Sequence, residues 1–140
     1  MDKQTKALML PAVLLSTVLA SAPAAAEIVV IVSPANQASR MFTEQAAQFF
    51  LGKSNQFTPI DQAKESPIRR EFYQKVTSKT LAQVEGVWAK IEFSGKGTAP
   101  KSYPNDAAVK KAVAADPQAI GYIDKASVDD SVKVLLTLPP

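Results

Sequence analysis

Five consecutive β-branched residues, Ile28 to Val32 in EIVVIVSP, set the strongest constraint on this chain. A strand with one wet face alternates apolar and polar residues, whereas an unbroken apolar run closed by Ser-Pro requires cover on both faces. Helices must supply that cover, and helical patterns do alternate with strand patterns along the rest of the chain. TEQAAQFFLGK reads as a short helix capped by Thr43, with Ala46, Ala47, Phe50 and Leu51 on one side and Gly52 just past its end. FTPID, Phe57 to Asp61, reads as the second strand. TLAQ opens a further helix through a Thr80/Gln83 capping box, and Leu81, Val84, Val87, Trp88 and Ile91 recur at helical spacing. That spacing makes Trp88 a core anchor. NDAAVKKAVAADP gives a helix capped at Asn105 or Asp106 and stopped by Pro117. AIGYID, Ala119 to Asp124, and VKVLLTL, Val132 to Leu138, read as closing strands, while FSGKGTAPKSYP is a Gly/Pro-punctuated loop and the segment expected to move most.

The N-terminus carries a different signal. Lys3 and Lys6 precede ALMLPAVLLSTVLA, and SAPAAAE follows with Ala24 and Ala26 at the small-residue positions of an A-x-A site. The pattern is that of a secretory signal peptide over residues 1–26, which leaves a single domain over residues 27–140 and assigns it to the periplasm. The chain has no cysteine, so export comes with neither a disulfide framework nor a lipid-bearing Cys. A net charge of +3 with Lys and Arg dispersed in runs of no more than two gives no nucleic-acid footprint.

Composition also limits the chemistry. Without His or Cys, no Ser-His-Asp triad, thiol nucleophile or His- or Cys-ligated metal site can be assembled, so the expectation is a non-enzyme with no metal and no cofactor. Asp129 and Asp130 fall in a turn, where a solvated role suffices, and Gly95 and Gly97 lack the spacing of a phosphate loop.

One stretch remains, DQAKESPIRREFYQKV. Ser66 before Pro67 is a strong helix start, with the hydroxyl expected to cap an orphan N–H. Ile68, Phe72 and Val76 form the buried stripe, which puts Arg69 at its border and Arg70 on the wet side. Arginines in a first turn oppose the helix dipole by about 0.3 to 1 kcal/mol each unless a negative group is near. Glu65 or a bound anion would supply it, and a helix start can hold an anion.

Taken in order, IVVIVSPAN, FFLGK, DQAKESPIRREFY, VWAKIEFSGKGTAP, ADPQAIGYID and VKVL resemble the short phosphate-binding-protein-like members of the periplasmic binding protein family. The resemblance implies a single α/β lobe, a mixed and mostly parallel sheet flanked by helices. It also implies an oxyanion such as phosphate as ligand and an ABC permease as partner. Ser66 would donate to the anion, Arg69 would face it, and Asp61 would lie in the approach loop. Receptors of that family carry a Ser-Gly-Thr type turn where this chain has ESPIR. The alternative is a periplasmic interaction or signalling module of the same fold, docking a protein through its cleft face with Lys96, Lys101 and Tyr103. A homo-oligomer that rebuilds a two-sided cleft would reconcile the two.

Overall fold

The computed structural model describes residues 27–140; the expected signal peptide lies outside the described residues. The chain runs β1 (Ile28–Val32), α1 (Thr43–Phe50), β2 (Thr58–Gln62), α2 (Pro67–Thr77), α3 (Leu81–Phe93), β3 (Lys101–Tyr103), α4 (Asp106–Ala115), β4 (Ala119–Asp124) and β5 (Lys133–Leu138). The strands form one five-stranded sheet in the order β3-β2-β4-β1-β5. β2 is parallel to both β3 and β4, whereas β1 is antiparallel to β4 and β5, so β1 alone runs against the other four. The architecture is thus α/β, a mixed sheet mostly of one direction and flanked by helices.

β1 is buried along its whole length, as its composition requires. Ile28, Val30 and Val32 meet α1, α2 and α3 on one face together with Ile120 and Tyr122 of β4. Val29 and Ile31 meet α4 on the other, with Ile60, Val109, Val113 and Ile123. The first face is aromatic: Phe72 stacks on Tyr122 with ring centroids 3.8 Å apart, and Phe50 meets both rings edge-on. The second is tight at Gly121, where a Cβ would come within 2.9 Å of Val109 and 3.1 Å of Ile60.

Several local expectations are corrected. Phe42, not Thr43, occupies the cap position of α1, where its N–H donates to Gln45 Oε1 at 2.8 Å. β2 is shifted one residue and takes in Gln62. The loop expected to be the most mobile contains β3, which continues the sheet beside β2 with Asp61 opposite Ser102. At α2, Ser66 stands at the cap position with extended backbone, but its hydroxyl makes no cap hydrogen bond. By contrast, the Thr80/Gln83 box forms as read, and Asn105 Oδ1 accepts from Ala108 N at 2.9 Å. Trp88 is buried and its indole N–H donates to the Phe50 carbonyl at 2.9 Å, the anchor role its spacing indicated.

Candidate functional site

β2 ends in two polar residues, Asp61 and Gln62, and both are buried. A carboxylate in an interior survives only with a dense set of donors and a counter-charge. Asp61 Oδ2 accepts from the Tyr73 hydroxyl at 2.7 Å and lies 3.3 Å from Arg69 Nε. Its Oδ1 accepts from the Gln62 N–H at 3.1 Å and from the Tyr122 hydroxyl. Asp61 thus accepts three hydrogen bonds from its own protein, of the about four a carboxylate can take, and faces Arg69 as its counter-charge. Both phenols are pushed well above the usual range, first by burial and then by the negative charge of Asp61. They therefore serve as fixed donors.

The network continues through the sheet. Gln62 Nε2 donates to Asp106 Oδ1 at 2.7 Å and to the Tyr122 carbonyl at 3.0 Å, which ties the end of β2 to the first residue of α4. Asp106 Oδ2 in turn accepts from Ser127 Oγ at 2.8 Å.

Arg69 is the unusual member. Only 6 % of it is exposed, and its guanidinium lies 5.5 Å from the centre of the Tyr73 ring one helical turn on. Among the described residues neither Nε nor Nη1 has a hydrogen-bond partner: the Asp61 contact at 3.3 Å is an ion pair without a hydrogen bond, and Glu85 Oε1 is 3.8 Å from Nη1. A buried, under-bonded guanidinium is costly, and such groups call for an explanation.

Arg69 and Asp61 form part of the wall of a cavity of about 310 Å³. α3 contributes Glu85, Trp88, Ala89 and Glu92 to it, the segment leading into β3 contributes Ala99 and Pro100, and β3 itself contributes Ser102, with Lys64 completing the lining. The cavity thus lies between the end of β2, which supplies Asp61, and the start of β3. A larger groove of about 520 Å³ carries Lys53, Lys75 and Lys79, but Lys75 is already held by Glu71 at 2.8 Å and by the Pro139 carbonyl at 2.7 Å. The under-bonded buried charge belongs to the smaller cavity.

The structure therefore brings Asp61 and Arg69 together and leaves Ser66 half-buried outside the cavity lining. Asp61 lies within a strand, not in an approach loop. Glu65 is exposed, and the carboxylates near Arg69 are Asp61 and Glu85. Arg70 is exposed, as its place on the helix wheel indicated. Sequence reading missed Tyr73, Tyr122 and Glu85. Tyr73 had a usable signal, its one-turn spacing from Arg69; Tyr122 and Glu85 come from distant elements and had none. Asp129 and Asp130 are exposed, and Asp129 pairs with Lys110 at 2.7 Å, which holds its carboxyl well below the usual range.

No protein-family model and no curated protein sequence matches the chain. Solved structures do. A candidate phosphate ABC transporter substrate-binding protein with bound phosphate, from Clostridium perfringens, superposes with a TM-score of 0.64 at 20% identity, over 79% of this chain and 45% of that one. An ABC-type phosphate transport receptor from Vibrio cholerae gives 0.63 at 18% identity, over 79% and 47%. PstS from Borrelia burgdorferi gives 0.59 at 15% identity, again over 79% and 47%. At these identities the likeness establishes the fold alone, the α/β arrangement that this chain shares with about half of each of these structures. The chain spans about half the length of the structures it matches.

Proposed function

We propose that this lobe is a solute-binding module of the phosphate ABC transporter type, working in the periplasm and taking an oxyanion, phosphate or a close analogue, at Arg69. The observation that carries the reading is the buried guanidinium, two of whose nitrogens have no hydrogen-bond partner among the described residues, on the wall of a 310 Å³ cavity. An anion reaching Arg69 would satisfy donors the protein leaves unused, and charge-assisted bonds of this kind are among the stronger ones available. Asp61 acts through Arg69: already accepting three hydrogen bonds from the protein, it holds the guanidinium as counter-charge and does not itself receive the ligand. Ser102, exposed opposite Asp61 in the β2–β3 register, offers a hydroxyl from the other wall. Ser66 contributes only from outside the cavity, through a hydroxyl its own helix does not use. Nothing in the reading requires catalysis, and the solved neighbours carry the names of binding proteins and receptors.

Calorimetric titration of inorganic phosphate, then sulfate, into the purified protein at low ionic strength tests this. Saturable heat is expected in the wild type and in Arg70→Ala, and none in Arg69→Ala. Arg69→Lys, which keeps the charge without the planar fork, should bind more weakly than wild type. Equal losses in Arg69→Ala and Arg70→Ala would replace a site with diffuse charge.

One observation favours the second reading. Phe93, at the end of the helix that walls the cavity, is 96 % exposed. Under that reading it is a contact for a protein partner, alongside Lys96, Lys101 and Tyr103, and Phe93→Ser would abolish the association without altering phosphate heat.

A further inference from the structure

We infer that Glu85 is a resident counter-ion of the cavity: its carboxylate stands in for the anion near Arg69 and has to be displaced when a ligand enters. The inference rests on the anion-binding reading of Arg69 and adds the group that sets the strength of that site.

The two carboxylates near Arg69 differ in kind. Asp61 is 3 % exposed and held by both tyrosine hydroxyls and a backbone N–H, so it cannot leave without opening the core. The Glu85 side chain is 54 % exposed and lies 3.8 Å from Nη1, too far for a hydrogen bond. It projects from α3 one turn before Trp88 and Ala89, on the stripe that lines the cavity. A long, half-solvated side chain in a loose ion pair gains at most about 1 kcal/mol from it. Moving it is therefore cheap, whereas Nη1, buried and unbonded, gains a partner from any oxyanion placed at hydrogen-bond distance.

Charge in the cavity favours the same conclusion. Asp61, Glu85 and Glu92 line it with Arg69 and Lys64, so its side chains carry an excess of negative charge that opposes an incoming anion. Glu92 is committed elsewhere, since its Oε1 accepts from Ala99 N at 2.8 Å and fixes the loop after α3. Glu85 is thus the carboxylate whose only ion-pair contact among the described residues is the ligand's own anchor. Its removal should strengthen anion binding by about fivefold, the ratio that corresponds to the upper end for such pairs.

The test is phosphate titration by calorimetry at low ionic strength on wild type, Glu85→Gln and Glu44→Gln. Glu44 lies in the first turn of α1, away from the cavity, so its variant removes the same net charge remotely. Tighter binding in Glu85→Gln, with Glu44→Gln equal to wild type, is the expected result. Wild-type binding that Glu85→Gln leaves unchanged or weakens overturns the counter-ion role and keeps the anion site. Equal tightening in both variants also overturns it, in favour of overall charge. Absence of saturable heat in wild type and Glu85→Gln alike removes both the site and its counter-ion.

Discussion

Asp61 shows how one residue can hold a site without touching its ligand. Its charge is shared among two phenols, a backbone N–H and Arg69. Breaking a buried pair leaves the surviving charge uncompensated, at about 3 to 5 kcal/mol. Asp61→Asn keeps the shape but strips the charge opposite Arg69, and urea unfolding should show a loss of about 3 kcal/mol. The tyrosines give the network a pH signature. Their folded pKa values lie above the ordinary 10.0, so the unfolded chain loses these protons first as pH rises. Their contribution is complete below pH 10 and declines above it, by about 1.4 kcal/mol per pH unit for each phenol. Between pH 10 and 11 the urea-derived stability of Tyr122→Phe should therefore fall less steeply than that of wild type, by about 1 kcal/mol, since the unfolded phenol is only half ionised at pH 10.

At the scale of the element, helix starts with similar sequence signatures do different things. Asn105 and Thr80 use their side chains to bond first-turn amides, whereas Ser66, before a proline, does not. Pro67 has no N–H to satisfy, and the hydroxyl's usual targets are the next two amides. Asn105→Ala should lose about 1 kcal/mol in chemical denaturation, the ordinary cost of a lost cap. Ser66→Ala should change stability by less than about 0.5 kcal/mol, as surface substitutions do. α2 starts without a side-chain cap and runs into the Asp61–Arg69 pair within its first turn. Tertiary electrostatics thus offsets the unfavourable position of an arginine near a helix N-terminus.

At the scale of the whole molecule, the sheet is a wall between two cores, and both faces must close. α4 approaches so near that Gly121 leaves no room for a side chain. Gly121→Val should lower stability by about 1 to 3 kcal/mol through overpacking, read as a lower urea midpoint. It should leave the phosphate titration of any folded fraction unchanged, because neither α4 nor Ile60 contributes to the lining of the cavity. Among the described residues the cavity is lined from β2, α2, α3 and β3, and the chain spans about half the length of the structures it matches.

By itself, the sequence determined what depends on neighbours along the chain. The β-branched run of β1 dictated a doubly covered strand, the period of Leu81 to Ile91 dictated a buried Trp88, and Asn105 and Thr80 announced their helices. The border position of Arg69 was legible in the same way. The tertiary structure alone decided what depends on groups far apart in sequence. Edge strand β3 has only three residues and exists because β2 offers it a partner, so propensity in a Gly/Pro-rich segment could not reveal it. The partners of Arg69 came from β2 and α3, and the second phenol on Asp61 came from β4, 61 residues away. Burial strengthens each of these contacts by removing competing water. Local pattern marks which side chains turn inward, whereas the charges they meet there are fixed only when the layers close.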